Sequence, residues 1–416
     1  MKGHSHMRSV VATLRESSRA IGAAASLASI FVAVVSIPLA IGSALELTDA
    51  QVSAWILGIY GLAGILTILL VVRYRQPLLV TGNVFILIFV SRLGTDFAWA
   101  ELVGASILAG LAVLVLGLLG LTQRLARLLP PPVVFGLLAG AVLPFVVDMF
   151  TAFGNAELIV GATLLAYLYA RFALEPRVPA ILAALVVGAL VAALSGAYGA
   201  APSQVALPAF EVTAPTFSAD AIITATPVMI ALITLQANIP SLVFLRSQDY
   251  DPPERTIDAV SGLGTVAGSV LGPMGVSLSL PATALCAGPD AGPPRRRYRA
   301  AYIAAGASLA IGLLAGLAPD LQRLIPAALL DGLVGLAVLS VLATGLQRTT
   351  EGPLVLGPLF AFAIALSELE LLGLGAFFWA LMFGVAVSLT LEREKWKALS
   401  TAEEPGLTEE PGATRR

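Results

Sequence analysis

Cysteine is almost missing from this chain: Cys286 stands alone among 416 residues, so no intrachain disulfide framework can hold the fold. Histidine is nearly as scarce. Both copies, His4 and His6, lie in the opening Met1–Met7 segment, ahead of the first apolar run, and no apolar stretch contains the commonest proton-relay side chain. Charge is sparse as well. Charged residues make up 12% of the chain against about 25% in soluble domains, while 58% are hydrophobic, which excludes a soluble globular class. The sequence also lacks a P-loop, a zinc-ligand spacing and a G-x-S-x-G elbow, leaving ATP-driven transport, a cofactor and soluble enzymology without support.

What remains is a succession of apolar runs. With a window of about 20 residues per crossing, fourteen spans are read near 21–45, 50–72, 76–93, 99–122, 130–150, 154–173, 177–198, 219–245, 255–273, 274–289, 298–318, 321–346, 352–369 and 371–392. The first run begins after residue 20 and continues to spanning length, so it is expected to stay as a transmembrane helix. Charge placement supports the count. With the N-terminus inside, all of the 24 Lys and Arg residues except Arg92 and Arg323 fall on the cytoplasmic side, as the positive-inside rule requires. The expected protein is therefore all-α and integral to the cell membrane, with both termini cytoplasmic.

Two of these spans are interrupted. In the tenth, Gly275–Leu280 alternates small or polar with apolar residues like a short extended segment, and Pro281 then suits the first turn of a helix running to Gly288. The third repeats the design: Pro77–Thr81 is extended in pattern, and Gly82-Asn83 opens the apolar run Val84–Val90. Interrupted segments in corresponding halves point to the substrate site of a secondary transporter. Fourteen spans divide into two sevens, and an odd number per half forces the halves to be inverted. Ser36-Ile37-Pro38 in the first span matches Asn238-Ile239-Pro240 in the eighth, and the interrupted helices open 44 and 41 residues later, at Gly82 and Pro281. The expected organisation is a cytoplasmic segment 1–20, a first repeat 21–198, an outer linker 199–218 rich in proline and small residues, a second inverted repeat 219–392, and a disordered cytoplasmic tail 393–416.

Helix amino ends near the midplane carry unpaired amides and the positive end of the dipole, a ready anion site in low dielectric. Thr81, Gly82, Asn83, Ser277, Ser279, Leu280, Pro281, Ala282 and Thr283 surround the two openings and are the candidate substrate-binding residues. Their polar side chains serve either as helix caps or as donors to a bound carboxylate. Gln236 and Asn238 bring amides into the apolar eighth span, where they must face a partner helix or a cavity. Phe85, Phe89 and Leu280 are candidate neighbours for an aromatic ring. Asp331, within the twelfth span, is the carboxylate expected to lie deepest in the hydrocarbon and so the candidate proton carrier.

Gln236-Ala-Asn-Ile-Pro-Ser241, Asp249-Tyr-Asp-Pro-Pro253, Cys286-Ala-Gly-Pro-Asp-Ala291 before a basic run, and Val52-Ser-Ala-Trp-Ile-Leu-Gly58 resemble the benzoate:proton symporter family. The resemblance covers most of the chain and is strongest over 234–299. It implies the uracil permease architecture, seven plus seven inverted spans, with a core of 21–122 and 219–318 and a gate of 130–198 and 321–392. It also implies a secondary active transporter of benzoate or a related aromatic carboxylate, working by proton symport. One departure stands out: the family's Ser-Thr-Pro-Gly-like opening is here Val80-Thr81-Gly82-Asn83, which bears on substrate identity but not on architecture. The alternatives are a nucleobase or inorganic-anion transporter of the same fold and a channel-like anion conductor. The expected partners are a small organic anion, a proton and the bilayer, with a homodimer left open and no nucleic acid.

Overall fold

The computed structural model describes residues 19–28, 30–122, 130–174, 178–199, 207–288, 291–350, 352–367, 369, 371 and 376–396. Most of segment 1–20, the tail from 397, part of the linker (200–206) and the basic positions Arg124, Arg127 and Arg177 lie outside the described residues; 393–396, expected within the disordered tail, form a helical turn.

The helices are α1 (Arg19–Ala44), α2 (Asp49–Tyr74), α3 (Val84–Leu93), α4 (Trp99–Leu119), α5 (Pro131–Asn155), α6 (Glu157–Leu174) and α7 (Ala180–Leu194), then α8 (Ala219–Arg246), α9 (Glu254–Ser269), α10 (Leu280–Ala287), α11 (Tyr298–Leu313), α12 (Ala327–Thr350), α13 (Leu356–Leu366) and α14 (Ala376–Thr390). Each falls within or close to an apolar run read from the sequence. Seven of them (α1, α2, α4, α5, α6, α8 and α12) are long and apolar enough to cross a membrane, or up to eight if the pair Pro294–Leu313 and Ala315–Leu321, bent by 44°, is one span. Small residues let the helix backbones approach closely: a Cβ added at Gly110 would stand 2.8 Å from the Gly262 carbonyl oxygen, so α4 and α9 meet almost backbone to backbone. α2 packs likewise on α11, and α5 on α12 and α13.

Between α2 and α3 lies β1 (Val80–Gly82), and between α9 and α10 lies β2 (Val276–Leu278). The two pair antiparallel, Val80 with Leu278, Thr81 with Ser277 and Gly82 with Val276, so both interrupted segments meet at one place although some 195 residues separate them. A two-stranded sheet in low dielectric must satisfy its outward-facing polar groups. Thr67 of α2 does so for β1, its hydroxyl donating to the Val80 carbonyl (2.9 Å) and accepting from the Val80 amide (3.0 Å). For β2, Thr265 Oγ1 of α9 accepts from the Val276 amide (2.9 Å) and Asn238 Oδ1 of α8 accepts from the Leu278 amide (2.9 Å). Residues 207–218 are pinned across the end of the bundle, the Thr213 amide donating to Val270 O and the Thr216 amide to Ala100 O.

Candidate substrate site at the paired strands

A cavity of about 210 Å³ lies beside the paired strands. Thr81, Gly82 and Asn83 line it from one interrupted segment, and Ser277, Ser279, Leu280, Pro281 and Ala282 from the other, with Gln236 from α8. Apart from Ser308 of α11, whose hydroxyl donates to the Tyr60 carbonyl (2.8 Å), the rest of the wall is apolar and aromatic, from Leu27, Phe31 and Val34 of α1, Ile59 and Tyr60 of α2, and Phe85 of α3; Ala337 of α12 also reaches it. Of the candidate ring neighbours, Phe85 and Leu280 line the cavity and Phe89 does not. Phe89 turns instead to Phe377 of α14, their ring centroids 4.9 Å apart.

The two helix openings differ. At α3, Asn83 is the cap: its Oδ1 accepts from the Phe85 and Ile86 amides (3.0 and 3.3 Å), while its Nδ2 donates to Ser277 Oγ (3.0 Å) and Leu232 O (3.3 Å). That leaves little of the helix end for a ligand. At α10, Ser279 forms no such cap, Pro281 has no amide hydrogen, and the Thr283 amide donates to Ser279 O (2.7 Å). The amides of Leu280 and Ala282 have no partner among the described residues. Donor capacity for an anion is therefore concentrated at α10.

A π-helical turn over Leu232–Asn238 in α8 sorts the two amides of that helix, an extra residue in the turn changing which way each side chain leaves it. Gln236 lines the cavity, 8% exposed, and its Oε1 is buried with no hydrogen-bond partner. Asn238 does not reach the cavity; it stands behind β2, where besides holding Leu278 its Nδ2 donates to Asp258 Oδ1 (2.9 Å) and Ser261 Oγ (3.1 Å). Asp258 Oδ2 accepts from Thr122 Oγ1 (2.6 Å). Thr283 is buried and outside the cavity lining.

Asp331, the candidate proton carrier, is the fifth residue of α12, which Pro326 separates from a short helix, Ala318–Leu324; its side chain is exposed and does not line the cavity. Two carboxylates are buried among the described residues, each 4% exposed: Glu392, beyond the end of α14, and Asp258, within α9. The sequence reading also passed over Thr67 and Thr265, although a signal was present: each is a threonine within an apolar or glycine-rich helix, 13 or 11 residues before the strand residue it binds. Tyr60 and Phe31 carried no comparable mark, since aromatic residues on apolar helices are ordinarily packing.

The sequence model of the family described as benzoate membrane transport protein (BenE) matches residues 9–390. Similar curated proteins include the inner membrane protein YdcO of Escherichia coli (strain K12), 26% identical over 84% of this chain and 90% of the relative. Another is the benzoate membrane transport protein of Acinetobacter baylyi (strain ATCC 33305 / BD413 / ADP1), 27% identical over 84% and 88%. Among solved structures, the transmembrane domain of the cyanobacterial bicarbonate transporter BicA superposes with a TM-score of 0.57 at 18% identity, covering 89% of this chain and 98% of the other. SLC26A9 superposes with 0.60 at 14% identity, over 90% and 65%. These two establish likeness of fold.

Proposed function

Because the chain belongs to the benzoate membrane transport protein family, we propose that it is a secondary active transporter of benzoate or a closely related aromatic carboxylate. The observation that carries this reading is the unequal pair of helix ends: α10 opens on the cavity with the Leu280 and Ala282 amides free, beside the Ser279 hydroxyl, while the facing wall is apolar and aromatic. A carboxylate would sit on those amides, stabilised by the α10 dipole, with Thr81 and Gln236 at its flank and the ring against Phe31, Tyr60 and Phe85. Asn83 would shape this pocket, its amide being engaged with Ser277, Leu232 and the first α3 amides, whereas Ser277 accepts from Asn83 and keeps its own hydrogen to donate.

Such a wall suits an aromatic acid better than sulfate or bicarbonate, which would have to shed hydration against hydrocarbon with few donors in return. The name of the Acinetobacter relative favours the same substrate. We read the architecture as fourteen crossings in two inverted sevens, both termini cytoplasmic, with a core (21–122 and 219–318) moving against a gate (130–198 and 321–392). The pairing of Thr67 with β1 and Thr265 with β2, from the second span of each half, supports the repeat. Proton symport and a homodimer complete the proposal.

Reconstituted protein and radiolabelled benzoate test it. Saturable uptake with counterflow is expected, and Ala282→Pro, which deletes one free amide, should weaken benzoate binding roughly tenfold, the worth of one hydrogen bond to a charged group. Unsaturable, voltage-following conductance would point to a channel, and a preference for nucleobases or bicarbonate over benzoate would reject the substrate assignment.

A further inference from the structure

The transport reading above gives no task to Asp258, a buried carboxylate of α9. We propose that Asp258 is the positioning carboxylate through which a proton sets the state of the substrate site, acting on α10 by way of Asn238 and β2. The inference rests on the proposed benzoate symport and adds to it the residue that couples the proton.

Asp258 is 4% exposed and makes no ion pair among the described residues. A buried carboxylate held only by neutral donors is costly, so its place in the bundle calls for a use. Both of its partners are buried, Thr122 at 5% and Asn238 at 0%. The geometry that follows is a chain: Asp258 Oδ1 binds Asn238 Nδ2, Asn238 Oδ1 binds the Leu278 amide, and Leu278 is the residue before Ser279, where α10 opens on the cavity. α4 closes the other side. A Cβ added at Gly117 would stand 2.7 Å from Asp258 Cβ, so no counter-ion fits there.

The titratable and charged groups on the elements around Asp258 are few. On α9 itself, Glu254 is paired with Arg246 of α8, and the Arg255 guanidinium lies over Gly120 at the end of α4. From α2 come Arg73, Tyr60 and Tyr74, the Tyr74 hydroxyl engaged with Thr256 Oγ1 (3.1 Å), while Asp49 of α2 and Glu101 of α4 stand in the first turns of their helices. β2 and the π-helical turn of α8 contribute none.

When Asp258 is ionised, Asn238 is held by a charge-assisted bond and keeps β2 in register. A proton taken from water onto Oδ2 makes the neutral acid, turns the Thr122 hydroxyl from donor to acceptor, and weakens the bond to Asn238. The strand, and with it the α10 opening, is then freer to shift. Binding of the substrate anion and of the proton thereby become linked.

Asp258→Asn keeps the shape, since its amide can accept from Asn238 and donate to Thr122. In proteoliposomes with radiolabelled benzoate, this variant is expected to retain counterflow with KM within about twofold, while accumulation driven by an inward proton gradient falls tenfold or more. The pH dependence of benzoate binding should flatten. Thr122→Val, which removes a donor to the charged form, should move the pH midpoint of binding upward without abolishing it. Gradient-driven accumulation at the parent level in Asp258→Asn would overturn the inference, as would loss of counterflow and accumulation together in a variant of parental melting temperature. Absence of benzoate counterflow in the parent protein would instead reject the transport reading on which this one stands.

Discussion

Gly82 ends β1 where a side chain has no room: an added Cβ would stand 2.6 Å from Ile59 Cγ2 and 3.1 Å from the Ile59 carbonyl oxygen. Gly82→Ala should therefore lower stability by about 1–3 kcal/mol, read as a drop in melting temperature, and weaken benzoate binding because β1 carries Thr81 into the cavity. Gln236 presents the opposite balance. Its Oε1 is buried without a partner, a condition that costs about 1–3 kcal/mol. Gln236→Leu, nearly equal in volume, should raise the melting temperature of the ligand-free protein and reduce the further rise that benzoate produces. Equal benzoate-induced shifts in parent and variant would remove Gln236 from the site.

At the scale of elements, the ends of helices decide most of the chemistry. Glu392, beyond the end of α14, accepts from the amides of Val355 (2.8 Å), Leu356 (3.1 Å) and Gly357 (3.0 Å), so one carboxylate fastens α14 to the start of α13. Burial alone would push its carboxyl up; the three amides and Lys395 outweigh burial and hold it below the usual glutamate range. Stability from this lock is fully present above the unfolded-state glutamate value and is lost as pH falls through the lower folded-state value. Glu392→Gln should accordingly melt earlier than the parent at neutral pH, with the difference narrowing below about pH 4. Asn83 does comparable work at α3, where its cap is worth about 1 kcal/mol. At α10 nothing of the kind is spent, which is what leaves that opening for a ligand.

For the whole molecule, the distribution of Arg and Lys predicts an orientation with both termini cytoplasmic, which exposed sites on opposite sides can test. In a Cys286→Ala background, Ala214→Cys in the linker should react with a membrane-impermeant thiol reagent added outside intact cells. Asp251→Cys, in the exposed turn between α8 and α9, should react only after permeabilisation. Reversal of the two patterns would invert the orientation. The meeting of distant segments is also a property at this scale: β1 and β2 complete each other, so neither half alone can close the sheet or the cavity.

Much of this was already written in the chain. Apolar length and sparse charge dictate a helical membrane protein, and the breaks at Gly82-Asn83 and Ser279-Pro281 follow from local backbone chemistry, because glycine, proline and capping side chains act on their own neighbours. Asp331 and Asp258 mark where that kind of reading stops. Which face of α12 meets the cavity depends on packing, and it is Ala337 that reaches the cavity while Asp331 is exposed. Burial depends on partners remote in sequence, and Asp258 found its own in Thr122 and Asn238, 136 and 20 residues away. The unequal openings of α3 and α10 belong to the same class. A cap forms only when a side chain's other atoms find partners too, and Ser277 and the Leu232 carbonyl supplied these to Asn83 across the fold.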